Sequence, residues 1–425
     1  MMRKFNMFTS MLLLSIFVGC TDLSRVDFLE DVIWKDNRKW WYRDQIVLND
    51  KLQKMAADPY DFMRGTQRLH WLDSNRPNAL QSSFLHDPEA AQVFIFGDPH
   101  PENWGIHLNN GDVALEMLDL DAAEYGPWHF DLRRLILGMS ILGEGLKDCF
   151  CQEELVLAIT QGYFEGLSEP LVLSGKIMED LIEEAEEEGE ERKRYHAKTN
   201  ESAGEAYLLE SMGEIPISVE QWAARKEVRV LDVGRRFAGV SSYSALRYLV
   251  LWDHGEAGAD DDRLSQLREL SDPVVYNKKS FYSNLSRISF AQQTLWTSSH
   301  EIWGHDVWLA QGLEWKSLFY KSDIQDFDHN KLEDAWEEGD IDFSDIYVWS
   351  RLLGKALANR HALSRTRDGN YAQSIIISDI EAGGGISTLE TELLNMNSSD
   401  VQQLYIDFDL FQTILEDTVW LGSSP

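Results

Sequence analysis

Val93-Phe94-Ile95-Phe96-Gly97-Asp98-Pro99-His100-Pro101-Glu102-Asn103 is an apolar run that breaks into a cluster of acid, imidazole and amide side chains. A short apolar run bounded by a glycine reads as a buried strand ending in a turn. Working outward, a second apolar run, Val113 to Leu118, leads into Asp119-Leu120-Asp121. Asn109-Asn110-Gly111-Asp112 lies between the two runs, and Asn-Gly between apolar segments is a strong hairpin signal. The expectation is that strands at 93–96 and 113–118 pair through that turn, bringing Asp98 and Asp119 to one end of a ribbon. Carboxylates and an amide gathered in this way can hold a divalent cation beside a phosphate. Asp and Asn also form turns for local hydrogen-bonding reasons, so a purely structural strand end is the competing reading.

Composition bounds what surrounds this cluster. The chain has 425 residues, 44% of them hydrophobic, with 15 Trp, 14 Tyr and 19 Phe, enough for a large core. At ~100–200 residues per domain, two or three packed units are expected. The 39 basic and 72 acidic residues give a formal charge of −33, which repels nucleic acid phosphates at long range, so no nucleic acid partner is expected. Part of the acid is concentrated at Glu183 to Glu191 and at Asp260-Asp261-Asp262, which read as solvated surface.

The first residues have the pattern of a targeting segment. Arg3 and Lys4 precede an apolar stretch from Met11 to Val18, and Phe17-Val18-Gly19-Cys20 resembles the lipobox of bacterial lipoprotein signals, with Phe17 in the position usually held by Leu. The apolar stretch is shorter than the ~20 residues of a membrane-spanning helix. The resemblance implies removal of residues 1–19, lipidation at Cys20 and a membrane anchor facing the periplasm. Thr21, rather than Asp, points to the outer membrane. An uncleaved helix on a cytoplasmic protein is the alternative. Cys149 and Cys151 are two apart in an expected helix, on different faces, and read as core residues.

The fold class expected is α+β, helix-rich, with one small antiparallel β-rich subdomain. Helix patterns cover 131–146, 152–166 and 174–197. Val228 to Val233, Tyr243 to Trp252 and Val274 to Tyr276 are rich in β-branched and aromatic residues. Helical patterning returns from Ser286, most clearly over Phe343 to Ala362, and Leu389 to Leu421 closes the chain. The expected organisation is a helical part at 20–225 carrying the hairpin, a β-rich part at 226–285 and a helical part at 286–425. Gly383-Gly384-Gly385 reads as a linker, with no strand–loop–helix pattern and basic residue around it.

Asp98 and Asn103 are five residues apart. In kinase-like phosphotransferases an Asp handles the acceptor proton, an Asn five residues later binds metal, and another Asp binds the same magnesium ions. On that spacing Asp98 is the candidate catalytic base. Asn103 and Asp119 are candidate metal ligands, with Asp121 a further one. The loop resembles the Gly-Asp-x-His-x-x-Asn loop of the aminoglycoside and choline phosphotransferase group, which implies a supporting role for His100. It also implies an N-cap or structural role for Asp131, in Asp131-Leu132.

Phe62-Met63-Arg64-Gly65, the Asp98 loop, Asp119-Leu120-Asp121, Gly126 to Leu135 and Leu357-Ala358-Asn359-Arg360-His361-Ala362 together resemble DUF2252, a bacterial family without an assigned function. The motif order, acid loop before β-rich part, implies a circular permutation of the kinase arrangement. Nucleotide-covering strands would then lie within Arg229 to Lys279. Family members tend to carry a Gly-x-Gly-x-x-Gly-like loop before those strands. This chain has Gly239-Val240-Ser241-Ser242-Tyr243-Ser244, in which only Gly239 remains and Ser241 and Ser242 are the candidate phosphate donors. Lys278 is the candidate phosphate anchor, or else a solvated strand-end lysine, and Glu301 is the nearest downstream acid for it. Arg64 suits either a phosphate or a surface carboxylate, and His361 reads as a core histidine.

Three functions compete. One is a magnesium- and ATP-dependent transferase moving a phosphoryl or nucleotidyl group to a small molecule, lipid headgroup or protein. The second is a catalytically silent kinase-like binding lipoprotein. The third is a metal-dependent phosphoester hydrolase using Asp98 and His100, which ranks last because its Gly-Asn-His-Asp/Glu motif is missing from the sequence.

Overall fold

A computed structural model describes residues 24–75, 92–109, 112–117, 119–145, 152–183, 215–235, 237, 239–253, 263–269, 272–273, 284–296, 302–310, 313–323 and 332–417. The leader with Cys20, both remaining cysteines, the acid runs at 184–191 and 260–262, the strand expected at 274–276, Lys278 and Glu301 lie outside the described residues.

Four helices open the described chain: α1 (Arg25–Arg43), α2 (Gln45–Ala57), α3 (Pro59–Gly65) and α4 (Gln67–Ser74). Aspartates punctuate them. The Asp44 side chain accepts from the Ile46 and Val47 amides to start α2, and Asp58 accepts from Tyr60 and Asp61 to start α3, with Pro59 at the first turn. Two short antiparallel ribbons follow. β1 (Gln92–Ile95) pairs with β4 (Glu124–Pro127), and β2 (Trp104–Asn109) pairs with β3 (Asp112–Met117). The strands flanking 110–111, which lie outside the described residues, pair as a hairpin, but the first of them is Trp104–Asn109 rather than the 93–96 run. The earlier run instead pairs with a strand beyond Asp121, because its four apolar residues are needed in the core: Val93, Phe94, Ile95 and Phe96 are all fully buried.

Helices α5 (Trp128–Gly145) and α6 (Gln152–Gly166) come next. α5 is buried from Trp128 to Gly143, which accounts for its near-continuous apolar sequence. Helix α7 (Ile217–Lys226) precedes a five-stranded antiparallel sheet of β5 (Arg229–Arg235), β6 (Arg247–Asp253), β7 (Arg263–Glu269), β8 (Ile302–Ala310) and β9 (Leu313–Asp323), in the order β5-β6-β7-β9-β8. α8 (Asn284–Leu295) lies between β7 and β8 in the chain. The helical reading from Ser286 onward thus fails over 302–323, where the β8–β9 hairpin completes the sheet, and the strand-rich part continues past residue 285. Helices α9 (Leu332–Glu338), α10 (Phe343–Leu363), α11 (Ala372–Ala382) and α12 (Ile386–Asp417) close the fold. Gly383 to Gly385 link α11 to α12, with positive φ at Gly384 and Gly385.

The fold is α+β and helix-rich, as the composition and patterning anticipate. It has two cores. The larger joins the helices to the ribbons; the smaller packs Val219 and Trp222 of α7 against Val233, Tyr248, Val250, Trp252 and Leu267 of the sheet. Helices α6 and α10 approach closely: a Cβ on Gly162 would lie 2.0 Å from the Arg351 carbonyl oxygen, and one on Gly354 would lie 2.2 Å from that of Ile159. Among the described residues no helix is long and apolar enough to cross a membrane.

Candidate functional site

β1 delivers the chain out of the core to Gly97, whose φ of +83° turns it sharply. A Cβ there would sit 2.4 Å from the Ala122 carbonyl oxygen, so the position requires glycine both for its backbone angle and for the close approach. Asp131 holds the turn from below. Its Oδ2 accepts from the Phe96 amide at 2.7 Å and its Oδ1 from the Gly97 amide at 2.8 Å. Asp131 lies within the first turns of α5 rather than at its N-cap, because the helix begins at Trp128.

Beyond Gly97 the loop is knit by its own backbone. The Asp98 carbonyl accepts from the His100 amide at 2.9 Å and from Asn103 Nδ2 at 3.1 Å, and the Asn103 amide donates to the His100 carbonyl at 2.9 Å. Pro101–Asn103 forms one 3-10 turn, and Gly138 of α5 makes room for it, since a Cβ there would lie 2.6 Å from Pro101 Cδ. Asn103 immediately precedes β2. The hairpin register pairs Trp104 with Met117, so Asn103 and Asp119 flank the same open end of the ribbon. Asp119 Oδ1 accepts from the Asp121 amide at 3.1 Å, and Arg287 of α8 donates to the Asp121 and Ala123 carbonyls at 2.8 and 2.7 Å.

The electrostatics are those of a crowded buried site. Asp98 Oδ1 accepts from Arg134 Nε at 2.7 Å, and Gln67 Nε2 donates to Asp98 Oδ2. Arg134 also donates from Nη2 to the Met63 carbonyl at 2.8 Å. Burial pushes the Asp98 carboxyl above its ordinary value; Arg134 pulls it back down, and the Asp119 charge raises it further. His100 is buried with Nε2 3.8 Å from Asp98 Oδ2 and its ring edge-on to Tyr60. Burial, then the Arg64 and Arg134 charges, hold it well below the usual imidazole range.

Asp98, His100, Asn103, Asp119, Asp121 and Asp131 are therefore brought together. Ser241 also reaches this place: Gln67 Nε2 lies 3.4 Å from its Oγ while touching Asp98. Gly239 has a φ of +70°, and Ser242 Oγ accepts from Arg247 at 2.9 Å, turned away toward the sheet. Arg64 pairs with Glu102 at 2.7 Å and with Asp61 at 3.4 Å, the carboxylate-pairing alternative. His361 is fully buried in the core. The residues sequence reasoning missed are Gln67, Arg134 and Arg287. A lone cation or amide on a helix carries no periodic or spacing signal. Only Arg134's place three residues after Asp131 hints that both face the loop.

Among the described residues, no group of three His, Cys, Asp or Glu side chains converges in a metal-binding arrangement. Magnesium commonly takes only one or two protein carboxylates, with phosphates and water completing an all-oxygen shell. Asp119 and the Asn103 amide oxygen fit that limited donor set, because Asn103 Nδ2 is committed to the Asp98 carbonyl. Asp98, neutralised by Arg134, does not fit as a ligand.

Residues 43–207 match the family described as an uncharacterized protein conserved in bacteria, DUF2252. That span carries the Phe62–Gly65, Gly97–Asn103 and Gly126–Leu135 motifs, whereas Leu357–Ala362 lies beyond it. No curated protein and no solved structure matches the chain.

Proposed function

We propose that this chain is a kinase-like, magnesium- and ATP-dependent transferase that moves a phosphoryl or nucleotidyl group to a small molecule, lipid headgroup or protein. The observation that carries the reading is the gathering of Asp98, Asn103 and Asp119 at one hairpin end, with Ser241 of the far-removed 239–244 turn reaching them through Gln67. Asp98 is the base: burial raises its proton affinity, and Arg134 fixes its other oxygen. Gln67 must swing off Oδ2 before an acceptor hydroxyl can approach. Asn103 and Asp119 would hold magnesium, which would supply positive charge to the phosphates of the donor. Ser241 would donate to phosphate, with Ser242 turned aside to Arg247 and Lys278 as the anchor. The acid loop precedes the sheet in the chain, which supports reading the arrangement as a circular permutation of the kinase order. The leader pattern supports an outer-membrane lipoprotein anchored through Cys20.

A second reading has its own support. Both Asp98 oxygens are engaged and the side chain is 5% exposed, which suits a silent binder. Purified protein incubated with ATP and magnesium, beside Asp98→Asn, separates the two. Nucleotide consumption lost in the variant supports the transferase; binding without consumption in either supports the binder, and neither binding nor consumption sinks both.

A further inference from the structure

The close crossing of α6 and α10 places two side chains that the proposed chemistry does not use. Tyr163 and His361 are both fully buried, and the phenol oxygen lies 2.8 Å from His361 Nδ1. The other ring nitrogen, Nε2, lies 3.0 Å from Asp131 Oδ2. Tyr163 is fixed in turn by stacking on Trp128, with ring centroids 5.6 Å apart and an angle of 16° between planes. Burial, and then the Asp131 and Asp379 charges, keep the phenol well above its ordinary range, so the hydroxyl remains a donor. A hydroxyl donating to Nδ1 requires the imidazole proton on Nε2, aimed at Asp131. The chain of donors therefore has one direction, from Tyr163 through His361 to Asp131.

Asp131 is where this chain meets the acid loop. Its two oxygens receive the Phe96 and Gly97 amides, and Asp98 is the next residue. With the His361 bond it has three donors, and a rotation of the carboxylate would loosen both amides together. We propose that Tyr163 and His361 are positioning residues, acting through Asp131 on the backbone that presents Asp98. The assignment rests on the reading of the loop as the working site.

Hydrogen exchange and a thermal melt with magnesium and ATP, run together on the full chain, test it. His361→Leu is expected to speed exchange of the Phe96 and Gly97 amides by about tenfold relative to the amides of α6 and α10, the scale of one lost charge-assisted bond. The nucleotide-dependent melting shift should fall by more than half. His361→Gln, whose amide nitrogen can stand near the Nε2 position, should restore most of both. Should His361→Leu fail to fold, Tyr163→Phe removes only the hydroxyl, and local acceleration at 96–97 is again expected. Unchanged exchange at 96–97, acceleration spread evenly over the helices, or no rescue by glutamine overturns the proposal. A wild-type chain with no melting shift would instead overturn the proposed function, and the exchange pattern would still decide the positioning role.

Discussion

The acid loop and the 239–246 turn are built in opposite ways, although Gln67 brings them within one side chain of each other. The loop belongs to the larger core: Val93 to Phe96 beneath it are fully buried, Asp131 clamps its amides, and Arg134 sits in it with no exposure. The turn bridges the two cores, with Val240 and Ala245 packed in the larger and Leu246 in the smaller, and it is half on the surface. It is secured from the side, by Lys54 over the Tyr243 ring at 4.7 Å and by Glu269. The Glu269 carboxylate, fully buried on β7, accepts from the Leu246 amide at 2.7 Å, from Lys39 at 2.6 Å and from Arg43. It thus ties the turn and the sheet to α1. The loop is enclosed by burial, whereas the half-exposed turn depends more on charged contacts at its side, the arrangement expected where one part is less stable than the other.

Arg134→Leu should produce the largest effect, about 3–5 kcal/mol in urea unfolding, because it strands the buried Asp98 charge. A loss below about 1 kcal/mol would show that the loop does not depend on this pair. Glu269→Gln should act on the other half. Burial alone would raise the Glu269 carboxyl, but Arg43, Lys39 and the Leu246 amide outweigh it and bring it down from 4.5 to about 2. A depressed carboxyl contributes stability above its unfolded value and loses it as pH falls through the folded one, so the contribution of about 3 kcal/mol is complete above about pH 4.5 and fades toward about pH 2. The gap between wild type and Glu269→Gln should close over that window, with exchange rising first in β6 and β7. A gap independent of pH would contradict the tie through Glu269.

Gly97→Ala should cost about 1–3 kcal/mol or more, since alanine meets both the positive φ and the Ala122 carbonyl. Ser241→Ala, on the exposed turn, should stay within about 0.5 kcal/mol in the melt. Its effect should appear only with nucleotide present. If instead it destabilises the free protein as much as Gly97→Ala does, the two halves are not built differently.

Much of the loop was legible in sequence because its signals are local. Asn109-Asn110-Gly111 marks the hairpin, Gly97 marks the turn, and the five-residue step from Asp98 to Asn103 marks the amide. Helices α5, α6 and α10 follow the 3.6-residue period closely enough to locate them within a few residues. What failed was non-local. β1 pairs with β4 rather than with the hairpin, and β7 pairs with β9 across a helix; no short-range pattern encodes either choice. The period-two alternation in this part, as in Leu313-Glu314-Trp315-Lys316, is a strand signal too short to override the helical patterning on either side. Arg134, Gln67 and Glu269 act as isolated polar residues whose partners lie 36, 31 and about 230 positions away. Their importance comes from burial, which the sequence does not state.

The claim that Asp119 and Asn103 form a metal–phosphate site beside Asp98 is tested most directly by titrating the purified chain with Mn²⁺ and ATP while following free Mn²⁺ by electron paramagnetic resonance. ATP-dependent uptake by wild type, weakened by about tenfold or more in Asp119→Ala and in Asn103→Leu, is the result expected for loss of one ligand. Equal uptake by all three proteins, or uptake indifferent to ATP, would contradict it.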